Sequence, residues 1–143
     1  MKLRQIMTRQ PVTIHPKESV AVAARTLAQY NVGALPVCGI DGKLRGLVTD
    51  RDLVTRCVAA GRSPEKTAVE QVMTSQVIWA GPDMEAAVAA GLMGREQIRR
   101  LPVVEDGKLC GMVSLGDLAQ DEETVYDAGD ALADICNSLS SRN

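Results

Sequence analysis

The sequence predicts a mixed α/β protein built from two similar β-α-β-β-α repeats and a separate C-terminal helix. Three observations lead to this fold class. Short motifs recur at a nearly constant displacement, both copies show the same order of strand-like and helix-like segments, and helical spacing continues after the repetition stops. Phe is absent and Trp occurs once among 143 residues, so the core must be aliphatic, which suits strands packed against helices.

The repetition is visible in four pairs of motifs. Ile6-Met7-Thr8 returns as Val72-Met73-Thr74, and Leu35-Pro36-Val37 returns as Leu101-Pro102-Val103, each 66 positions later. The segments 41–44 and 46–53 return as 106–109 and 111–118, now 65 positions later, because the first copy has one extra residue before Asp41. A fixed displacement indicates an internal duplication. We expect repeat 1 over residues 1–60, a polar linker over 61–68, repeat 2 over 69–121 and a tail over 122–143.

Each repeat is predicted to begin with a short strand and a helix. The β-prone runs are Pro11–Ile14 and Val77–Trp79. Ser19 is the expected N-cap of the first helix, and one helix face carries Val20, Ala23, Ala24 and Leu27. The second helix, from about residue 83 to 97, repeats that face as Ala86, Ala89, Ala90 and Met93. Its two interior glycines, Gly91 and Gly94, weaken the helix unless close packing requires them.

A hairpin and another helix complete each repeat. In the first copy, residues 34–37 and 44–48 form the hairpin strands around Asp41-Gly42, a dipeptide that favours a tight turn. Asp106-Gly107 plays the same part in the second copy. The following helices are expected over about 50–60 and 115–122. The apolar residues of the first of these helices, Leu53, Val54, Cys57 and Val58, predict a homodimer because a small repeat leaves such a face uncovered.

The tail beyond residue 121 is predicted to be a helix that docks on the module or on a second chain. Apolar residues recur there at helical spacing, namely Val125, Ala128, Leu132, Ile135, Cys136 and Leu139.

Charge and patterning limit the classes of function. With 16 Lys and Arg against 18 Asp and Glu, the net charge is −2, and no basic stripe interleaved with aromatic residues suggests nucleic-acid binding. Neither a signal peptide nor a membrane span is evident, so the expected location is the cytoplasm, without membrane association. The single histidine and scattered cysteines form no recognisable nucleophile–base pair, so we do not expect an enzyme.

The most informative motif is Gly46-Leu47-Val48-Thr49-Asp50-Arg51-Asp52, which returns as the segment from Gly111 to Asp117. A strand ends on a hydroxyl residue, and a carboxylate follows three positions later at the start of a helix. Phosphate groups bind at helix N-termini, and a carboxylate suits a ribose diol. Helix capping is the alternative, since the spacing also fits a capping box. The recurrence of the motif after both Leu-Pro-Val strands favours ligand binding.

These motifs together resemble the CBS domain family, and in particular the tandem pair called a Bateman module. The resemblance rests on the paired Met-Thr segments, the two Leu-Pro-Val strands and the two hydroxyl-x-x-Asp signatures, and it covers about residues 1–121. It implies two repeats packed as a pseudo-two-fold pair that form disc-like dimers. It also implies clefts between the repeats that bind AMP, ADP, ATP or S-adenosylmethionine as a regulatory ligand, with no catalytic cofactor, and control of a separate, unidentified protein.

The resemblance also implies the residues of the nucleotide sites. Thr49 and Ser114 would contact phosphate, Asp52 and Asp117 would contact ribose, and the segments Ala34, Leu35, Pro36, Val37 and Arg100, Leu101, Pro102, Val103 would border the adenine through their backbones. Thr13 and Trp79, equivalent under the 66-residue displacement, would line the same clefts. Arg51 adds a cation for phosphate that the second copy lacks, so the first site is expected to be the stronger.

Several alternatives remain open at this stage. Trp79 suits base stacking or core and dimer packing equally well, and Arg99 and Arg100 suit phosphate binding or a solvated strand edge. Two alternatives to nucleotide sensing are a scaffold with vestigial clefts and a metal or redox sensor through His15 and Cys38. Two potential ligands alone do not make a metal site.

Overall fold

The computed structural model describes the backbone of residues 1–141 and the side chains of residues 1–137. The α-helices are α1 (Val20–Tyr30), α2 (Asp50–Leu53), α3 (Ala86–Glu96), α4 (Leu115–Ala119) and α5 (Val125–Ser141). The strands are β1 (Thr8–Arg9), β2 (Ala34–Cys38), β3 (Leu44–Thr49), β4 (Arg100–Glu105) and β5 (Lys108–Ser114). A π-helical segment, Val54–Val58, continues α2, and 3₁₀ turns occupy Leu3–Gln5 and Val69–Gln71. The mixed α/β class and the C-terminal helix are confirmed.

The chain forms two compact units whose limits cut across the sequence repeats. The β2–β3 unit contains Pro11–Val77 and Gly107–Leu109, and the β4–β5 unit contains Met1–Gln10, Ile78–Asp106 and the chain from Cys110 onward. The Met-Thr segment of each repeat therefore belongs to the unit built around the other repeat's hairpin.

Hydrogen bonds show how the Met-Thr segments are exchanged. Thr74 pairs with Leu47 of β3. Each residue donates its backbone N–H to the carbonyl oxygen of the other, with N···O distances of 2.9 Å. Correspondingly, Thr8 of β1 lies opposite Met112 of β5 in an antiparallel register. Each hairpin thus gains an edge partner from the other repeat.

Each exchanged Met-Thr segment packs directly against a glycine of the hairpin. A Cβ atom added to Gly46 would lie 2.6 Å from the Thr74 carbonyl oxygen and 2.7 Å from the Met73 sulfur. At Gly111 it would meet the Met7 sulfur and, at 3.0 Å, the Thr8 carbonyl oxygen. The glycine of the Gly-x-x-Thr/Ser motif is therefore required by close backbone approach.

The β2–β3 unit packs α1 and the π-helical segment on its strands. The Ser19 hydroxyl oxygen accepts the Val22 N–H at 3.2 Å, which confirms the predicted N-cap. Val20, Ala23 and Leu27 are buried as predicted, together with Leu35, Val37 and Val48 of the strands. Ala24 is exposed, so its assignment to the buried face was wrong.

The predicted first strand of each repeat is almost absent. Within Pro11–Ile14 only Ile14 forms a bridge, to Val37, and in the second copy the bridge falls on Ala80, just after the predicted run Val77–Trp79. Both bridges are parallel, and each is limited to a single residue. These predictions of strands were wrong in extent, although both runs reach the edge of the expected hairpin.

In the β4–β5 unit, α5 docks on α3 and α4. Ala128, Ala131 and Ile135 of α5 are buried in the same cluster as Ala90 and Met93 of α3. A Cβ atom at Gly94 would lie 3.2 Å from the Ala131 Cα, so Gly94 is explained by helix packing. Gly91 is exposed, and its added Cβ would make only an ordinary contact, 3.6 Å from Arg95, so packing does not explain it.

The remaining apolar side chains of α5 are uncovered. Val125, Leu132 and Cys136 are exposed, so only part of the predicted apolar face docks on the chain itself. Leu139 lies outside the residues whose side chains are described. Among the described residues, no helix has the length and apolar character needed to span a membrane.

Candidate ligand-binding site

The turn from β3 into α2 brings a hydroxyl and a carboxylate together. The Thr49 Oγ1 accepts the Asp52 N–H at 3.1 Å, and the Asp52 Oδ2 accepts the Thr49 N–H at 3.0 Å. Ser114 and Asp117 repeat this reciprocal pair after β5, at 3.0 and 2.8 Å. Both motifs are therefore capping boxes, and the same bonds fix the hydroxyl and carboxylate for contact with a ligand.

Part of this pair remains available to a ligand. Because Thr49 Oγ1 accepts a hydrogen bond, its own O–H can still be donated. Asp52 uses Oδ2 for the cap, whereas Oδ1 lies 3.8 Å from the Arg56 Nε in a loose ion pair. Asp52 is 9% exposed, so one oxygen of a nearly buried carboxylate can accept bonds from a diol.

The backbone N–H groups at the start of α2 are already occupied. Asp50 N donates to the Gly33 carbonyl oxygen at 3.1 Å, Arg51 N donates to the Asp50 Oδ1 at 2.8 Å, and Asp52 N donates to Thr49. A phosphate that contacts these N–H groups has to displace the Asp50 and Thr49 side chains, and the predicted phosphate contact stays a prediction. The Arg51 guanidinium is exposed and has no partner among the described residues.

The two Leu-Pro-Val strands present their backbones, rather than their side chains, next to these turns. Leu35, Val37, Leu101 and Val103 are fully buried core residues. Ala34 lies opposite Thr49 in the β2–β3 register, and the residue before each strand accepts the first N–H of the following helix. For the second copy this bond joins Leu115 N to the Arg99 carbonyl oxygen at 2.8 Å. The strands thus place the predicted backbone groups beside Thr49 and Ser114.

Thr13 and Trp79 are both exposed, as contacts to a ligand require. Thr13 precedes Ile14, which bridges to β2, and Trp79 precedes Ala80, which bridges to β4. Trp79 is 56% exposed, which excludes the alternative that it packs in the core of its unit.

A cavity of about 500 Å³ in the β4–β5 unit adjoins the Ser114 turn. The strand and turn contribute Arg99, Arg100, Ser114, Leu115 and Gly116, while α4 and α5 add Ala119, Val125, Ala128, Gly129 and Leu132. The residues from α5 were missed as site residues because the tail has no counterpart in the repeat. The helical spacing of these residues predicted that the C-terminal helix docks, but it did not indicate that the helix lines a cavity.

A second cavity, of about 460 Å³, lies in the β2–β3 unit beside His15, Asp41 and Arg45. The His15 Nδ1 accepts the Lys17 N–H at 3.1 Å, and burial raises the pKa of the Cys38 thiol, which disfavours the thiolate that metals bind. Across residues 1–137, no cluster of three or more potential ligands is placed to hold a metal ion. The geometry thus gives no support to a metal sensor at His15 and Cys38.

The fold and the paired turns define the class of protein. A family model for the CBS domain matches residues 3–59 and 69–123, and the chain belongs to this family as a tandem pair. Proteins built from CBS domain pairs are often regulatory and bind ligands, and they are typically not catalytic.

Particular relatives agree with this assignment. The CBS domain-containing protein YhcV of Bacillus subtilis is 41% identical over 133 residues, 93% of this chain and 94% of its own length. Hypoxic response protein 1 of Mycobacterium tuberculosis is 30% identical over 117 residues, 82% of this chain and 82% of its own length. The crystal structure of Hypoxic Response Protein I with two coordinated zinc ions superposes with a TM-score of 0.78 at 29% identity, covering 84% of this chain and 98% of that one. The CBS pair of protein MJ0100, in complex with 5′-methylthioadenosine and S-adenosylmethionine, gives a TM-score of 0.75 at 30% identity, covering 84% and 94%.

Proposed function

We propose that this protein is a regulatory module that senses an adenosine-type nucleotide, namely AMP, ADP, ATP or S-adenosylmethionine, and controls a separate partner protein. The observation that carries the proposal is the Thr49–Asp52 pair, held in a defined geometry near the Arg51 guanidinium, which has no partner within residues 1–137. The adenosine derivatives bound to the MJ0100 pair support the ligand class. The proposal includes no catalytic role.

The residues of the β2–β3 unit divide into three tasks. The Thr49 O–H and the Arg51 guanidinium bind phosphate, and the Asp52 Oδ1 accepts hydrogen bonds from the ribose diol. Backbone groups of Ala34–Val37 border the adenine, with Thr13 at the edge. In the β4–β5 unit, Ser114, Asp117, the backbone of Arg100–Val103 and Trp79 form the equivalent, weaker site. It is weaker because Leu115 and Gly116 replace Asp50 and Arg51.

We expect Asp52→Asn to weaken AMP binding roughly 10- to 150-fold, the effect of losing a hydrogen bond to a charged group. Asparagine keeps a carbonyl oxygen for the Thr49 N–H, so the cap survives. Asp117→Asn is the matched control and should change the affinity by less. Isothermal titration calorimetry measures both. Equal losses from the two substitutions, or none from Asp52→Asn, would contradict the assignment of the stronger site.

The module is further proposed to be a homodimer. Leu53 and Cys57 of the predicted dimer face are buried within their own unit, so that part of the prediction was wrong. Val54 and Val58, one helical turn apart, are 58% and 64% exposed and require a partner.

Sedimentation equilibrium is expected to show a dimer that Val54→Asp with Val58→Asp converts into a monomer, because two buried charges would face an apolar interface. The exposed pair Val88→Asp with Tyr126→Asp, on α3 and α5, is the control and should leave the dimer intact. A wild-type monomer at tens of micromolar would refute the proposal.

A cytoplasmic location is part of the proposal. The cysteines Cys38, Cys57, Cys110 and Cys136 are free thiols, which suits a reducing compartment.

A further inference from the structure

The cavity beside the Ser114 turn is lined by two chemically different sets of residues. Arg99 and Arg100 are the charged ones, and neither guanidinium has an ion-pair or hydrogen-bond partner among the described residues. The Leu115 N–H bond to the Arg99 carbonyl oxygen holds the first of these arginines next to α4. Two cations without partners among the described residues of a cavity wall favour an anionic group.

Most of the remaining wall is aliphatic. It consists of Leu115 and Ala119 of α4 and Val125, Ala128 and Leu132 of α5, with Ser114, Gly116 and Gly129 completing the lining. Within residues 1–137, no carboxylate and no aromatic side chain lines it, so it offers neither a carboxylate for a diol nor a surface for base stacking. A volume of about 500 Å³ lies within the range of small-molecule sites and exceeds the needs of a phosphate alone.

A glycine forms part of the cavity wall. Gly129 lies in the middle of α5, where glycine costs about 1 kcal/mol of helix stability relative to alanine. Its added Cβ would meet no atom within 4 Å, so helix packing does not require a glycine there. It lines the cavity, and a larger side chain at this position has free space available at the cavity wall.

We propose that this cavity binds a free amphipathic anion, a carboxylate or phosphate that carries an aliphatic chain. Arg99 and Arg100 bind the anionic group, and the walls formed by α4 and α5 cover the chain. The inference goes beyond nucleotide sensing at Asp52 and shares only Arg100 and Ser114 with the weaker nucleotide site. Its ligand lies against α5, so occupancy stabilises the docked position of that helix.

Titration with hexanoate, octanoate and decanoate below their micellar concentrations tests the proposal. Each added methylene is expected to tighten binding about two- to fourfold, as burial of a CH₂ group requires. Acetate, which lacks the chain, and octylammonium, which lacks the anion, should not bind. An affinity that does not change with chain length would overturn the proposal.

Two glycine substitutions provide a matched pair. Gly129→Leu adds a bulky side chain at the cavity wall and should weaken octanoate binding about tenfold or more, whereas Gly91→Leu makes the same change at an exposed position of α3 and should leave it unchanged. Both remove a helical glycine, so neither is expected to impair folding. The double variant Arg99→Gln with Arg100→Gln should remove the preference for octanoate over octanol.

Equal octanoate affinity in the Gly129→Leu and Gly91→Leu proteins would overturn the site. If the protein sedimented with phosphatidylglycerol vesicles but did not bind octanoate in solution, its ligand would be a membrane surface, and the proposal of a free ligand would be overturned. AMP titrations of the Gly129→Leu protein separate the two proposals, because the Asp52 site should retain its wild-type affinity.

Discussion

Replacement of Gly46 by alanine is expected to lower the free energy of unfolding by about 3 kcal/mol, since overpacking costs about 1–3 kcal/mol and hydrogen bonds about 1 kcal/mol each. The new Cβ would lie 2.6 Å from the Thr74 carbonyl oxygen, a backbone atom that cannot rotate away. Moving it breaks the two hydrogen bonds between Thr74 and Leu47. Urea denaturation measures the loss.

Gly81→Ala is the matched control for this substitution. Its Cβ would meet no atom within 4 Å, and Gly81 is not among the glycines with positive φ. It should therefore be neutral or stabilise the protein by about 0.4–1 kcal/mol. Equal free energies of unfolding for the Gly46→Ala and Gly81→Ala proteins would contradict the close packing of the Met73-Thr74 segment against Gly46.

A second large effect is expected at the interface between α3 and α5. Gly94→Leu places a side chain where the Ala131 Cα already lies 3.2 Å from the Cβ position, so α5 must move. We expect a loss of about 3 kcal/mol, at the upper end of the cost of overpacking. Amide hydrogen exchange should show α5 exchanging faster, while α1 keeps its protection.

The same residue change at Gly91 isolates the packing effect. Gly91 is exposed on the same helix, so Gly91→Leu should stabilise the protein by up to about 1 kcal/mol through helix propensity alone. Unaltered exchange of α5 in the Gly94→Leu protein would show that the helix does not depend on this contact.

Local sequence patterns predicted most of the fold because they determine most of it. Ser19 supplies a cap, Asp106-Gly107 supplies two consecutive positive φ angles, of 52° and 79°, and the apolar spacing in α3 determines its buried face. The fixed displacement then showed that the same unit occurs twice. These signals act within a few residues, so a single sequence is enough to interpret them.

The exchange of Met-Thr segments could not be predicted in this way. Thr8 contacts Met112, and Thr74 contacts Leu47, so the partners are separated by long stretches of chain and no local pattern links them. The split of the segment after Asp50 into α2 and a π-helical turn was missed for a similar reason. It buries Leu53 and Cys57 while leaving Val54 and Val58 exposed.

The sequence predicted the pairing of side chains within the two turns, but not the hydrogen bonds of the α2 backbone, and the ligand contacts of these residues stay predictions. The recurrence of hydroxyl-x-x-Asp correctly paired Thr49 with Asp52, and Ser114 with Asp117. Occupation of the α2 backbone N–H groups depends on Gly33 and on the side chain of Asp50, whose orientation the motif does not specify. The cavity under α5 depends on the docking of a helix outside the repeat.

Calorimetric titration of the wild-type protein with AMP and with adenosine tests the central claim most directly. If Thr49 and Arg51 bind phosphate through their side chains, adenosine should bind about tenfold or more weakly than AMP, because charge-assisted hydrogen bonds are lost. Arg51→Ala should narrow that difference while leaving adenosine nearly unaffected. Equal affinities for AMP and adenosine would contradict the phosphate assignment, and absence of binding by every adenosine derivative would leave a scaffold in place of a sensor.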